Sequence, residues 1–401
     1  MVPSATVQLL QLYSNCSPLL PNLELLSWTS GDTCLPFISS FISHSLTSII
    51  IDVPERASPI LPPILTRLST MSHDINQIVV RLLKYEPSME EASSQLLMHC
   101  DPHRLRKYNI GAPLSASALS HIIQLPSLEE FGLVAPFQFP DPLPAVVFPS
   151  LQVIVVDFDG SLTWLKLLPA IESSGLSIIR VKCPGPNVAR FMGAFQQTTI
   201  GCGMHERLQE FAVQSREEFK ITPQFLACNF SFKNMTSLKF HAKCSTSCQT
   251  LDVTDGDVDL LTNAMPGLKS LAIGGEPCIV PSKITFKSLY TLSSRCTRLK
   301  SLQIHFNPSS FIAKFNADVA SEGAGSSSLK TPSSAILCPL TYINVGHIKL
   351  PRPQSYVSVP MALGLLGVFP RLEEIKFRDA TWKEIGNLLR ARRHMYTAFV
   401  Y

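Results

Sequence analysis

Charge is what this chain has least of: Asp, Glu, Lys and Arg make up 16% of its 401 residues, against 45% hydrophobic ones, and the net charge is only +4. So dilute a charge leaves no electrostatic footprint for nucleic acid, and the apolar content excludes a disordered chain. Long apolar runs are missing too. No uncharged apolar stretch approaches the ~20 residues of a membrane helix, and the opening MVPSATVQLLQLYSNCSP lacks a basic segment followed by an apolar run. Neither nucleic acid nor membrane is therefore expected as a partner. There is no phosphate-cradling glycine loop, because GCGMH at 201–205 and LGLLG at 363–367 lack the required spacing. The eleven cysteines are scattered and odd in number, unlike a disulfide framework, and they suit the reducing cytoplasm or nucleus. Cys244 and Cys248, with His241 nearby, lack the second close pair that zinc would need. No metal and no cofactor is called for.

What the chain does have is one short phrase repeated along its length: a large apolar residue, then apolar again three and five positions later. It reads Leu23-Leu26-Trp28, Leu46-Ile49-Ile51, Leu105-Tyr108-Ile110, Leu128-Phe131-Leu133, Leu151-Ile154-Val156 and Leu176-Ile179-Val181. It continues as Leu208-Phe211-Val213, Met235-Leu238-Phe240, Leu268-Leu271-Ile273, Leu299-Leu302-Ile304, Leu340-Ile343-Val345 and Leu372-Ile375-Phe377. Ile75-Ile78-Val80 is a weaker copy. The last two positions stand two apart, as residues must to share one face of a strand. Copies start 23 to 41 residues apart, which brackets and then exceeds the usual leucine-rich-repeat period of about 20 to 29 residues.

Segments of helical character lie between the phrases: 88–99, 115–125, 161–172, 187–197, 255–265 and 358–368, with Thr285 preceding a further one. Val258, Leu261 and Met265 share one helical face, and Asp255 or Asp257 can cap its start. Strand then helix, repeated, predicts an α/β leucine-rich-repeat solenoid, a horseshoe with parallel strands on the concave side and helices on the convex side. One array spanning 1–401 is expected, with irregular insertions near 136–149, which is proline-rich, and 321–338, which is rich in Ser and Gly.

Residues 253–307 are more specific than the generic repeat. They contain TDGDVDLL, MPGLKSLAIGGEPC, TFKSLYTLSSRC and LKSLQIHFN, and this stretch resembles the repeat region of fungal F-box proteins, particularly the large mushroom families. The resemblance implies that the repeats hold a target protein for a cullin-type ubiquitin ligase. In that family an N-terminal F-box docks the Skp-type adaptor. No separate F-box is recognised here, since residues 1–22 pass directly into the repeat strand PNLELLSW. The adaptor and cullin are expected as partners only if an F-box lies upstream.

One motif carries candidate chemistry. VIVVDFDGSLT at 153–163 is similar to the first motif of haloacid-dehalogenase phosphatases, which would make Asp157 a nucleophile and Asp159 an acid/base around Mg²⁺. The same residues are an in-register copy of the repeat, and the partner motifs of that family are not recognisable. No catalytic residue is assigned, and the chain is expected not to be an enzyme. A protein-binding module is the main reading; the phosphatase and a free-standing scaffold unrelated to ubiquitin are the alternatives.

For such a module the binding residues are those between the apolar positions, because side chains alternate along a strand. They are Glu210 and Gln214; Lys239 and His241; Ser301, Gln303 and His305; Tyr342 and Asn344; and Glu374, Lys376 and Arg378. They predict a concave groove that grows basic toward the C-terminal repeats through Lys239, His241, His305, Lys376 and Arg378, suited to an acidic patch on an unknown target protein. Cys100 and Cys296, each just before a phrase, are expected in the core.

Overall fold

A computed structural model describes residues 18–29, 32–53, 59–71, 74–82, 88–122, 124–136, 139, 148–171, 175–215, 217–242, 251–274, 282–309, 311–312, 338–346, 355–377 and 381–399. The chain divides into two compact units, Met1–Lys182 and Cys183–Tyr401. Each is α/β, solenoid-like, with all described strand pairs parallel and the strands following one another in chain order.

The first unit contains β1 (Leu25–Trp28), β2 (Ser48–Val53), β3 (Gln77–Leu82), β4 (Lys107–Ile110), β5 (Glu130–Val134), β6 (Val153–Asp157) and β7 (Ile178–Lys182). Its helices are α1 (Leu61–Met71), α2 (Ser88–His99), α3 (Ala116–Ile122) and the short α4 (Leu167–Ala170). The second unit contains β8 (Glu210–Gln214), β9 (Ser237–His241), β10 (Ser270–Ile273), β11 (Ser301–Ile304), β12 (Tyr342–Gly346) and β13 (Glu374–Phe377). Its helices are α5 (Val188–Gly201), α6 (Pro223–Ala227), α7 (Asp255–Ala264), α8 (Phe286–Arg295), α9 (Ser355–Val368) and α10 (Thr381–Phe399).

Every strand holds the last two apolar residues of one copy of the phrase, the weaker copy included. The register places like on like: Leu26 faces Ile49, then Ile78, then Tyr108, then Phe131. In the second unit Phe211 faces Leu238, then Leu271, Leu302, Ile343 and Ile375. Most of these side chains are fully buried, each stabilising by about 1.5–3 kcal/mol. One repeat has no second layer of its own, so its apolar edge is covered only by its neighbours and by helices packed in sequence, α1 on α2 and α2 on α3, α7 on α8 and α9 on α10. The core of the first unit is largely aliphatic. In the second, aromatic rings fill the space under β8 and β9: Phe195 stacks on Phe211 at 4.6 Å, and Phe225 meets Phe240 edge-on at 4.7 Å.

Local sequence explains the helix boundaries. The Thr222 hydroxyl accepts from Phe225 N, with Pro223 opening α6, and the Thr285 hydroxyl accepts from Lys287 N at the start of α8. At α7 the cap is Thr254, whose N–H and hydroxyl both donate to Asp257 Oδ2 at 2.8 and 2.7 Å. The helix expected over 161–172 forms only as a 3-10 turn, Thr163–Lys166, followed by α4. Pro169 cannot donate a backbone hydrogen bond, and Ile171 turns extended at φ −79°, ψ 104°. Cys100 and Cys296 are buried, and burial pushes both thiols up to about 12. Most of the two expected insertions, and Cys244 and Cys248, lie outside the described residues.

Candidate functional site

The face of each sheet opposite the core is the place where side chains are free to meet a partner. In the second unit the register orders them in two rows. Glu210, Ser237, Ser270, Ser301, Tyr342 and Glu374 form the first; Ala212, Lys239, Ala272, Gln303, Asn344 and Lys376 form the second. Gln214 and His241 pair beyond them at the ends of β8 and β9. Thus Glu210, Gln214, Lys239, His241, Ser301, Gln303, Tyr342, Glu374 and Lys376 share one surface, half-buried or exposed. Arg378 lies outside the described residues.

Two of the expected binding residues are buried. His305 is 3% exposed. β11 ends at Ile304, so residue 305 no longer obeys strand alternation, and its ring packs beside Gly274, where a Cβ would stand 3.4 Å from it. Gly274 has φ +113°, a conformation glycine adopts without strain. Asn344 is also 3% exposed. The pairing of β12 with β13 slips between Asn344 and Gly346, and this irregularity coincides with three successive buried residues at 343–345.

Of the residues expected to make the groove basic, His305 is buried and Arg378 lies outside the described residues. Lys239 Nζ stands 3.7 Å from Glu210 Oε1, which offsets its charge, and Lys376 shares the face of β13 with Glu374. Two carboxylates therefore oppose two ammonium groups among the described positions, and the surface is polar and near neutral.

Stronger electrostatics lie at the strand-to-helix edge of this unit. Short parallel bridges join Ile221 to Leu251, Thr254 to Lys283 and Thr285 to Asn307. Asp252 accepts from Lys220 at 2.8 Å and from Lys283 at 2.7 Å, and these hydrogen bonds lower its carboxyl pKa to about 2. Asp255 reaches across to the next repeat. It accepts from Thr285 N and the Thr285 hydroxyl, both at 2.7 Å, and from the Ser288 hydroxyl. Burial raises the Asp255 pKa, but the hydrogen bonds from Ser288 and Thr285 outweigh it and leave the carboxyl below its usual value. These acids join repeats to one another.

The candidate phosphatase pair occupies a strand end. Asp157 is the last residue of β6 and is half-buried; Asp159 is exposed and accepts from Ser161 N at 3.1 Å in a turn whose Gly160 has φ +113°. Among the described residues no group of three or more His, Cys, Asp and Glu could hold a metal ion, and no helix is long and apolar enough to cross a membrane. A shallow depression of about 390 Å³ between α2 and α3 is lined by polar side chains and Met98. Gln95 donates to Glu91 at 3.1 Å, and Ser115 and Ser117 share a hydrogen bond at 3.0 Å.

The sequence reading missed the corresponding face of the first unit. There several outward positions are themselves apolar, Ile50 on β2, Val79 on β3, Val134 on β5, Val153 and Val155 on β6, and Ile178 on β7, beside polar ones such as Lys107, Asn109, Glu130 and Arg180. Val79 is buried and the other apolar ones are half-buried. The signal was present in the runs SIIIDV, QIVVRL and VIVVD, which are apolar at consecutive positions instead of alternate ones. No family model and no curated protein matches this chain.

Proposed function

We propose that this protein is a leucine-rich-repeat horseshoe that binds another protein across the face of its parallel strands and carries no catalysis of its own. The observation that supports this reading is the register. Like positions of successive repeats stand side by side, so residues far apart in sequence become rows on one surface, and such rows give a solenoid an extended binding face. On the resemblance of residues 253–307, the bound protein is a substrate for a cullin-type ubiquitin ligase, held by Glu210, Gln214, Lys239, His241, Ser301, Gln303, Tyr342, Glu374 and Lys376. The protein works in the cytoplasm or nucleus.

The test is an affinity purification of the tagged chain from native extract, scored by mass spectrometry for the Skp-type adaptor and cullin. Recovery of both supports the ligase reading. Reproducible partners without either would leave a free-standing scaffold, and absence of any specific partner would sink the binding reading altogether.

A further inference from the structure

The outward face of β10 is made of small residues. Ser270 and Ala272 stand there, with Gly274 just past the strand end. The register sets Ser237 and Lys239 of β9 on one side of them and Ser301 and Gln303 of β11 on the other. With β9 and β11 about 10 Å apart, this leaves a slot floored by Ala272. The His305 ring lies beside Gly274 and closes that end.

The side chains around the slot are hydrogen-bond donors. Lys239 Nζ is 3.7 Å from Glu210 Oε1, an attraction too long for a hydrogen bond. Ser270, Ser301 and Gln303 are half-buried, and their side chains make no hydrogen bond among the described residues. Ser237 is 8% exposed, and its hydroxyl is shut off from solvent with no hydrogen-bond partner. Leaving a buried hydroxyl unpaired costs stability, and a bound acceptor would remove that cost.

We propose that the slot over Ala272 receives a carboxylate, the side chain of an aspartate or glutamate presented by the partner protein, with Ser237, Ser270 and Lys239 donating to it. The inference rests on the protein-binding reading and deepens it by naming the group that the partner inserts. A carboxylate accepts at about four lone-pair sites, and its hydrogen bonds from hydroxyl and ammonium donors are short and strong. A side chain longer than that of Ala272 would stand between the incoming oxygens and the hydroxyls. Glu210 pairs with Ser237 on the side of β9 away from the slot, so it opposes the incoming charge without filling the site. Ser48 supplies the contrast. It is 7% exposed and its hydroxyl is equally unpaired, but its register neighbours are Leu25 and Gln77 and the next outward residue is Ile50. No cation and no second hydroxyl stands at those positions.

The probe is N-acetyl-aspartate amide, a carboxylate on a backbone-like stem, with N-acetyl-asparagine amide as its neutral counterpart. Saturation transfer from the full chain to each is read by NMR. The aspartate probe should bind severalfold better than the asparagine one and lose that advantage in Ser270→Ala and Lys239→Gln. Ser237→Ala should weaken the probe severalfold and yet raise the thermal midpoint, because it removes an unpaired hydroxyl. A serine with only a structural role would not move binding and stability in opposite directions. Ser48→Ala should raise the midpoint and leave probe binding unchanged. Ala272→Leu, with wild-type circular dichroism, should abolish binding by filling the slot. No transfer to either probe, equal transfer to both, or transfer indifferent to Ser237 and Ser270 would overturn the inference. If a partner purified from extract binds the Ser237→Ala, Ser270→Ala double variant as tightly as the wild type, the protein-binding reading stands and only this site fails.

Discussion

The outward faces of the two units differ although the same phrase builds both. On β2, β3, β5, β6 and β7 that face carries Ile50, Val79, Val134, Val153, Val155 and Ile178; on β8 to β13 it carries Glu210, Gln214, Lys239, His241, Gln303, Glu374 and Lys376. The core face is apolar in both, so it cannot account for the difference. A residue kept apolar where packing of its own repeat does not demand it points to something that covers it. A polar row tolerates water and contributes selectivity at little cost.

The largest test sets the two faces of one strand against each other. Ile154→Ala empties a fully buried position and should cost about 2–5 kcal/mol in urea unfolding. Val155→Ala, one residue away on the outward face, should cost under about 1 kcal/mol. Equal losses would mean that the outward face is already a closed core. The next test sharpens the contrast between units: Val155→Lys with Ile178→Lys should reduce binding of an apolar dye such as anilinonaphthalene sulfonate. Gln303→Lys should leave the dye signal unchanged, and a fall in both variants would erase the difference between units.

A third prediction concerns the inter-repeat acids of the second unit. Asp255→Ala removes the acceptor for Thr285 and Ser288 and should cost about 1 kcal/mol, discounted for its partial exposure. Both Asp252 and Asp255 bind protons less tightly folded than unfolded, so acid favours the unfolded chain. The stabilisation they contribute is present above about pH 5 and declines toward pH 2. Double replacement Asp252→Asn and Asp255→Asn should therefore flatten the acid limb of a pH–stability curve, and an unchanged limb would assign the acid sensitivity elsewhere. The smallest effect is expected from ion pairs on the outward faces. Arg81 and Asp52 form a pair with side chains 65% and 38% exposed, whereas Lys239 and Glu210 are 34% and 17% exposed. Lys239→Glu should cost up to about 1 kcal/mol and Arg81→Glu less, both shrinking with added salt.

Much of the fold was legible because the phrase couples two demands, a bend and then two same-face residues, and only a strand between neighbours satisfies both. Even the weak copy at Ile75 became a full member, β3, since Ile78 and Val80 are as buried as their neighbours. Helix starts were legible in type but not in detail. Thr254 and Asp257 close α7 between them, which frees Asp255 to bind the following repeat, a role that no spacing within one repeat announces. The binding surface was the least legible part. Alternation placed His305 and Asn344 outward, but both are buried: one lies past the end of β11, and the other keeps its row between Gln303 and Lys376 beside the slip between β12 and β13.

By itself the sequence determined which residues form strands, which face of each strand is core, and that one repeat must lean on the next, because these follow from periodicity and the burial of apolar area. Only the tertiary structure decided which outward residues are neighbours, that Lys239 stands against Glu210, and that the Asn109 side chain lies over Gly132. Those are relations between residues 20 or more apart in the chain, set by register and strand spacing, and a pattern read along a single repeat carries no measure of them.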